Sequence, residues 1–304
     1  MRHFEIGFVI YAGEAGGSRT LARWEEIRAL ALQAEAIGFD TIWAPDELLW
    51  RSAPDKERGF WDGVAMMGAL AAVTSRIKVG SWVMSALHRN PGIVAKCVET
   101  LDEISGGRFV FGLGAGHAWP GQATAFGLPE DNIYARYEEA LQIIVPLLRG
   151  GRADFAGTWH TARDLVQRPM GPRPGAIPIM IGGHGPKSMR HAVQLADIWS
   201  CYAEGPSDLT DLGPRIAAFE EACAELGRDP ASIGRSAGIE VAPLARTVDA
   251  DAPEGAITGS AQEIADRFRE LRAAGFTQLE LVVAPQTAAA LDALAPVLQI
   301  LDAG

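Results

Sequence analysis

Two adjacent acids, Asp46 and Glu47, follow the apolar run Thr41-Ile-Trp-Ala44. A carboxylate just past a strand can orient a ring nitrogen, or act as a general acid when its pKa is raised. Solvated loop acids are the plainer alternative, and the residues alone leave both open. Gly112-Leu-Gly114-Ala115-Gly116 follows another apolar run and continues into His117-Ala-Trp119-Pro120. The spacing is G-x-G-x-G, whereas the dinucleotide fingerprint is G-x-G-x-x-G opening directly into a helix. Small residues here, Ala115 among them, let a flat ring approach the backbone, and a tight turn explains them equally well. A third segment, Ile181-Gly182-Gly183-His184-Gly185-Pro186, leads into a helical pattern. Glycine leaves amides free to face an anion, and a helix start adds its positive dipole end. Gly182 and Gly183 are therefore candidate phosphate-binding residues. Lys187 and Arg190 fall in the first turn of that helix, where the dipole disfavours cations and a bound anion would offset the cost.

Other chemistries find less support. None of the six histidines has the HExxH or a similar ligand spacing, so no metal site is expected. His88 and His117 are the two that lie just past strand ends. Cys97, Cys201 and Cys223 are an odd number, far apart, with no CxxC, which argues against a disulfide framework or zinc. The segment Gly13-Glu-Ala-Gly-Gly-Ser-Arg-Thr20 lacks the Gly-Lys-[Ser/Thr] ending of a phosphate-binding P-loop and reads as a mobile loop after the first strand. With a net charge of −11 and no basic run, nucleic acid is not an expected partner. No stretch approaches the ~20 apolar residues of a membrane span, and the N-terminus does not have the layout of a signal peptide, so a cytoplasmic location is expected.

The elements that must position these residues alternate along the chain. Strand-like runs at 4–10, 41–44, 77–84, 109–113, 177–181, 198–201, 238–244 and 279–283 each precede a helical pattern, at 20–37, 61–74, 93–104, 134–148, 187–195, 212–226, 261–274 and 288–301. Gly38 and Gly106-Gly107 close two of the helices. The stretch 45–59 reads as a long polar loop. Residues 152–168, with Phe155-Ala-Gly157-Thr-Trp-His160, read as a small hairpin turning at Gly157. Near-continuous apolar strands such as Ile-Pro-Ile-Met-Ile fit parallel strands covered by helices. Eight such units in 304 residues predict one (β/α)8 TIM barrel spanning residues 1–304 as a single domain, with a hairpin insertion after the fourth helix; an open doubly wound sheet is the rival.

Several of these segments together resemble the luciferase-like superfamily, which contains FMN-dependent monooxygenases and coenzyme F420-dependent oxidoreductases. The likeness is carried by Arg89-Asn-Pro91 through Ala95-Lys96, by Thr100-Leu-Asp-Glu-Ile-Ser-Gly-Gly-Arg-Phe109, and by Gly112-Leu-Gly-Ala-Gly116. Gly38-Phe-Asp-Thr-Ile-Trp43, Pro178-Ile-Met-Ile-Gly-Gly183 and Ala196-Asp-Ile-Trp199 agree with it. The last third of the chain matches by pattern only.

The resemblance implies a flavin or deazaflavin across the barrel mouth, backed by a strand-three bulge with a non-prolyl cis peptide, here Trp82–Val83. It implies phosphate contacts at Gly182-Gly183 and near Cys201 and Tyr202. Asp46, Trp82, Val83, Ala115, Gly182, Gly183 and Cys201 are then the expected cofactor-binding residues. Many F420-dependent members carry Asp-His after strand two, and some carry Glu after the strand-four glycines. This chain has Asp46-Glu47 and His117, an acid and a histidine in exchanged places, so Glu47 and His117 become the expected proton donors. Hydride transfer from F420 to a small organic acceptor is the leading expectation. The alternatives are an FMN-dependent monooxygenase, served by a separate reductase, and a non-catalytic flavin-binding barrel. A homodimer is usual in the family. Trp50, Trp61 and Trp119 in the loops fit an apolar or aromatic substrate or, equally, simple loop packing.

Overall fold

The computed structural model describes residues 4–14, 22–53, 56–116, 121–245 and 252–303. In chain order the elements are β1 (Glu5–Val9), α1 (Trp24–Ile37), β2 (Thr41–Ala44), β3 (Leu49–Ala53), β4 (Lys56–Gly59), α2 (Gly63–Val73), β5 (Lys78–Ser81), β6 (Met84–Ser85), α3 (Pro91–Ser105), β7 (Phe109–Gly114), α4 (Gln122–Phe126) and α5 (Ile133–Gly150). They continue with β8 (Arg152–Ala156), β9 (Thr161–Val166), β10 (Ile179–Gly182), α6 (Pro186–Leu195), β11 (Ile198–Tyr202), α7 (Leu209–Leu226), β12 (Gly234–Val241), α8 (Ala261–Ala273), β13 (Gln278–Val283) and α9 (Ala288–Ala303). The main sheet has the order β10-β11-β12-β13-β1-β2-β5-β7-β6, and β10 also pairs with β7. β5 and β6 are two pieces of one strand broken at Trp82 and Val83, so the nine segments make the eight strands of a closed (β/α)8 barrel. Among the described residues no helix is long and apolar enough to cross a membrane.

The chain divides into two compact units. The first holds β1, α1 and most of β2, together with the chain from Met180 onward. Its strands are parallel and in register, with Ile6 beside Leu279 and Phe8 beside Leu281. Ile6, Phe8, Ala237, Ile239, Leu279 and Leu281 are fully buried. Trp199 stacks on Phe219 of α7 with ring centroids 4.6 Å apart. Ser260 and Glu263 form a reciprocal cap at the start of α8. The opposite face of these strands is polar: Gln278 donates to Ser236 at 3.0 Å, and Ser200 donates to Glu280 at 3.0 Å. Trp43 crowds the same unit at Gly7, where a Cβ would stand 2.3 Å from the indole nitrogen.

The second unit runs from Ala44 to Ile179, with residues 11–24. Asp62 caps α2 by accepting from the Ala65 amide at 2.8 Å. Asn90 caps α3 with Pro91 in its first turn, and Gly106 ends α3 at φ +65°. Arg108 donates to the Thr74 and Ala71 carbonyls, fastening the end of α2 to the start of β7. Asp102, fully buried on α3, pairs with Arg173.

The structure departs from the sequence reading in three places. The presumed loop 45–59 contains the antiparallel β3–β4 hairpin, whose charged residues give it the composition of a loop. Its Trp50 packs on Phe60 with centroids 5.0 Å apart. β12 begins at Gly234, four residues before the expected start, because Arg235 and Ser236 read as loop. The short helix α4 has no counterpart in the periodicity. The hairpin after the fourth barrel helix is present as β8–β9.

A test of the packing is Gly7→Ala. With no room beside Trp43, the added methyl should destabilise the fold by about 1–3 kcal/mol, read as a lower urea midpoint with an unchanged slope.

Candidate active site

Asp46 sits two residues past β2, and its side chain is fully buried. Its Oδ2 accepts from Arg89 Nη1 at 2.6 Å and from the Ser85 amide at 3.1 Å. His88 Nδ1 lies 3.3 Å from the same oxygen, without hydrogen-bond geometry. Arg89 continues to Asp62 through Nη2 at 2.8 Å. Burial alone would raise the Asp46 carboxyl, but His88 and the Arg89 guanidinium outweigh it and hold the group below the usual carboxylate range. The same carboxylate raises the Arg89 pKa against the effect of burial. Asp46 is thus held as the carboxylate at neutral pH, which suits it to accept a hydrogen bond rather than to donate a proton. Its Oδ1 is buried and makes no hydrogen bond.

The Trp82–Val83 peptide is cis. The Trp82 amide donates to the Ala44 carbonyl at 2.8 Å, so the bulge is tied to the end of β2. Ser81 Oγ both donates to the Gly112 carbonyl and accepts from its amide, each at 2.8 Å. A Cβ on Gly114 would lie 2.8 Å from Val83, and one on Gly116 would lie 2.4 Å from Ser85 Oγ. The glycines therefore let the bulge close onto β7. Trp82, Val83 and Ala115 are half-buried. Glu47 is half-buried beside a segment held by Gln122, whose side chain accepts from the Leu48 and Leu49 amides at 3.2 and 2.8 Å. His117 and Trp119 lie outside the described residues, as does most of the loop at 13–20.

The other expected residues belong to the first unit. Gly183 takes φ +123°, its amide donates to the Ser200 carbonyl at 3.0 Å, and its carbonyl accepts from Trp199 Nε1 at 2.9 Å. That amide is committed to β11, so an anion here would rely on the neighbouring turn and on α6. Arg215 of α7 reaches this turn, with Nη1 2.8 Å from His184 Nδ1, and it pairs with Asp211 at 3.0 Å. The Cys201 thiol is pushed up to about 12 by burial. Ser200 and Tyr202, on either side of it, bond to Glu280 and Glu240, so the Cys201 side chain points to the opposite face.

Sequence reasoning passed over Tyr202 OH donating to Glu240 Oε1 at 2.6 Å, and over fully buried Glu280. The available signal was a charged residue inside an apolar strand, Leu-Glu280-Leu, in a sheet whose strands should be apolar on both faces. Gly234-Arg-Ser236-Ala-Gly238 matches the G-x-S-x-G nucleophile pattern. Ser236 is fully buried within β12 rather than on a strand-to-helix elbow, so it is not a nucleophile.

The residues fit a flat, partly polar ring. The bulge offers half-buried Trp82 and Val83, and Asp46 Oδ1 is a buried acceptor that a ring N–H would satisfy. Among the described residues no group of His, Cys, Asp or Glu could hold a metal ion.

Asp46→Asn tests the ion-pair hub. Leaving Arg89 without its buried partner should cost roughly 3–5 kcal/mol at neutral pH. The folded carboxyl is held below its unfolded value of about 3.9, so the pair's contribution is complete above that value and fades as pH falls through the folded one. Denaturant titrations should show a constant stability gap between wild type and variant from neutral to about pH 5, closing below about pH 4.

The chain is 30% identical over 207 residues to the uncharacterized protein Rv0940c of Mycobacterium tuberculosis (strain ATCC 25618 / H37Rv), covering 63% of this chain and 70% of that protein. It is 33% identical over 214 residues to the pyrimidine monooxygenase RutA of Methylorubrum extorquens (strain ATCC 14718 / DSM 1338 / JCM 2805 / NCIMB 9133 / AM1), covering 67% of this chain but only 57% of RutA. Its fold is that of an F420-dependent secondary alcohol dehydrogenase in complex with an F420–acetone adduct, with a TM-score of 0.80 and 20% identity over 99% of each chain. Residues 4–253 match the luciferase-like monooxygenase family, and the chain belongs to that family of oxidoreductases.

Proposed function

We propose that this chain is an oxidoreductase that transfers a hydride between coenzyme F420 and a small organic acceptor. The observation that carries the reading is the half-buried Trp82-Val83 bulge beside Asp46, whose Oδ1 is a buried acceptor awaiting a donor. When bound, the reduced deazaflavin supplies the hydride. In this proposal Trp82, Val83 and Ala115 support the ring, and Asp46 accepts a ring N–H. Gly182, Gly183 and the backbone at Cys201, with the turn before α6, hold the phosphate. Glu47 or His117 gives the proton that balances hydride arrival at the acceptor. That step is not assigned to Asp46, whose carboxyl His88 and Arg89 hold below the usual carboxylate range. Ionisable residues that follow strands two and four in the sequence suit hydride transfer coupled to a proton.

The second reading is an FMN-dependent monooxygenase supplied by a separate reductase. The 33% identity to RutA favours it.

Parallel fluorescence titrations with F420 and FMN separate the two. Micromolar binding of F420 alone supports hydride transfer, and tight binding of FMN alone transfers the assignment to oxygen chemistry. In the F420 case, Glu47→Gln or His117→Ala should lower kcat by about a hundredfold while cofactor affinity holds. If both variants turn over normally, neither residue is the donor.

A further inference from the structure

A cleft of about 300 Å³ opens in the second unit where the start of α3, the start of α5 and the tip of the β8–β9 hairpin meet. Its polar lining is His88, Arg89, Asn90, Arg136 and His160, and its remaining lining residues are apolar. Among the described residues no carboxylate lines it, in a chain of net charge −11.

Each polar group has already spent part of its bonding capacity and keeps a nitrogen in reserve. Asn90 uses its oxygen to cap α3, accepting from the Gly92 amide at 2.9 Å, which leaves its NH₂. Arg136 gives Nε to the Asp131 carbonyl at 3.1 Å and Nη2 to the Asp131 carboxylate at 3.2 Å, which leaves Nη1. Arg89 gives its two terminal nitrogens to Asp46 and Asp62, which leaves Nε. His88 is 5% exposed, and its Nδ1 faces Asp46 Oδ2 at 3.3 Å, which leaves Nε2. His160 Nε2 is buried without a partner. The reserve consists of the remaining N–H donors of Asn90, Arg89 and Arg136 and the one N–H that each neutral imidazole carries, with no spare carboxylate or carbonyl side chain among them. A group that only accepts is the complement of such a set.

The geometry is held in place. The Arg136 guanidinium lies 4.1 Å over the Trp159 ring. The hairpin tip is fixed by Glu139 of α5, which accepts from the amides of Thr158, Trp159 and His160 at 2.7, 2.7 and 2.8 Å. α5 itself begins at Asn132 without a side-chain cap, so its first amides add to the positive field.

We propose that this cleft binds an oxyanion, the phosphate or carboxylate group of a small molecule, through Arg136, Asn90, His88 and His160. The site does not depend on which cofactor the protein uses. Isothermal titration of the full chain with inorganic phosphate and, separately, with succinate tests it, in wild type, Arg136→Gln and His160→Phe. Circular dichroism confirms that each variant is folded, and the two substitutions perturb different elements. Wild type should bind at least one of the anions, and each folded variant should bind it about tenfold more weakly. Phosphate binding identifies a phosphoryl ligand, and succinate binding alone identifies a carboxylate. No heat from either anion in wild type, or equal affinity in the folded variants, overturns the site.

Discussion

The buried Asp46–Arg89 pair is the constraint on which the second unit depends. One carboxylate oxygen takes a guanidinium and the backbone amide of Ser85, so it fixes the exit of β2, the short β6 and the approach to α3 together. Through Arg89 the same pair reaches Asp62, which is also the cap of α2. Two buried charges are costly to bring out of water, and a hydrophobic replacement of similar shape can be as stable. What the pair supplies is position: four chain segments are placed by a single planar fork. The bulge at Trp82-Val83 lies between two of these fixed points.

The segments that make the family legible in the sequence are largely scaffold. In Thr100-Leu-Asp-Glu-Ile-Ser-Gly-Gly-Arg-Phe109, Asp102 binds Arg173, Ser105 Oγ accepts from the Arg108 amide at 3.1 Å, and Arg108 clamps the end of α2. Gly106 and Gly107 both take positive φ at the helix end, where a side chain would be strained. Such residues have fixed spacing because backbone geometry dictates it. Strand and helix order was readable for the same reason, since burial imposes a period.

What escaped reading is long-range. Ser236 meets Gln278 across 42 residues, and Ser200 meets Glu280 across 80. No local window contains such pairs, and each polar residue alone looks like an interruption of an apolar strand. The β3–β4 hairpin was missed for the opposite reason. Its pairing is local, but Arg51, Lys56, Glu57 and Arg58 give it the composition of a loop. Asp46 and Glu47 were legible as a pair, but only the buried guanidinium beside Asp46 distinguishes one as a fixed charge.

The β8–β9 ribbon pairs only with itself and stands outside the main sheet. A two-stranded ribbon has little stability of its own, and here three successive amides converge on Glu139. Gly157 permits the approach, since a Cβ there would stand 2.4 Å from the carboxylate. The tip is in effect bolted to α5, one turn from Arg136. The ribbon tip and α5 thus share one anchor, and Glu139 sets the spacing between His160 and Arg136.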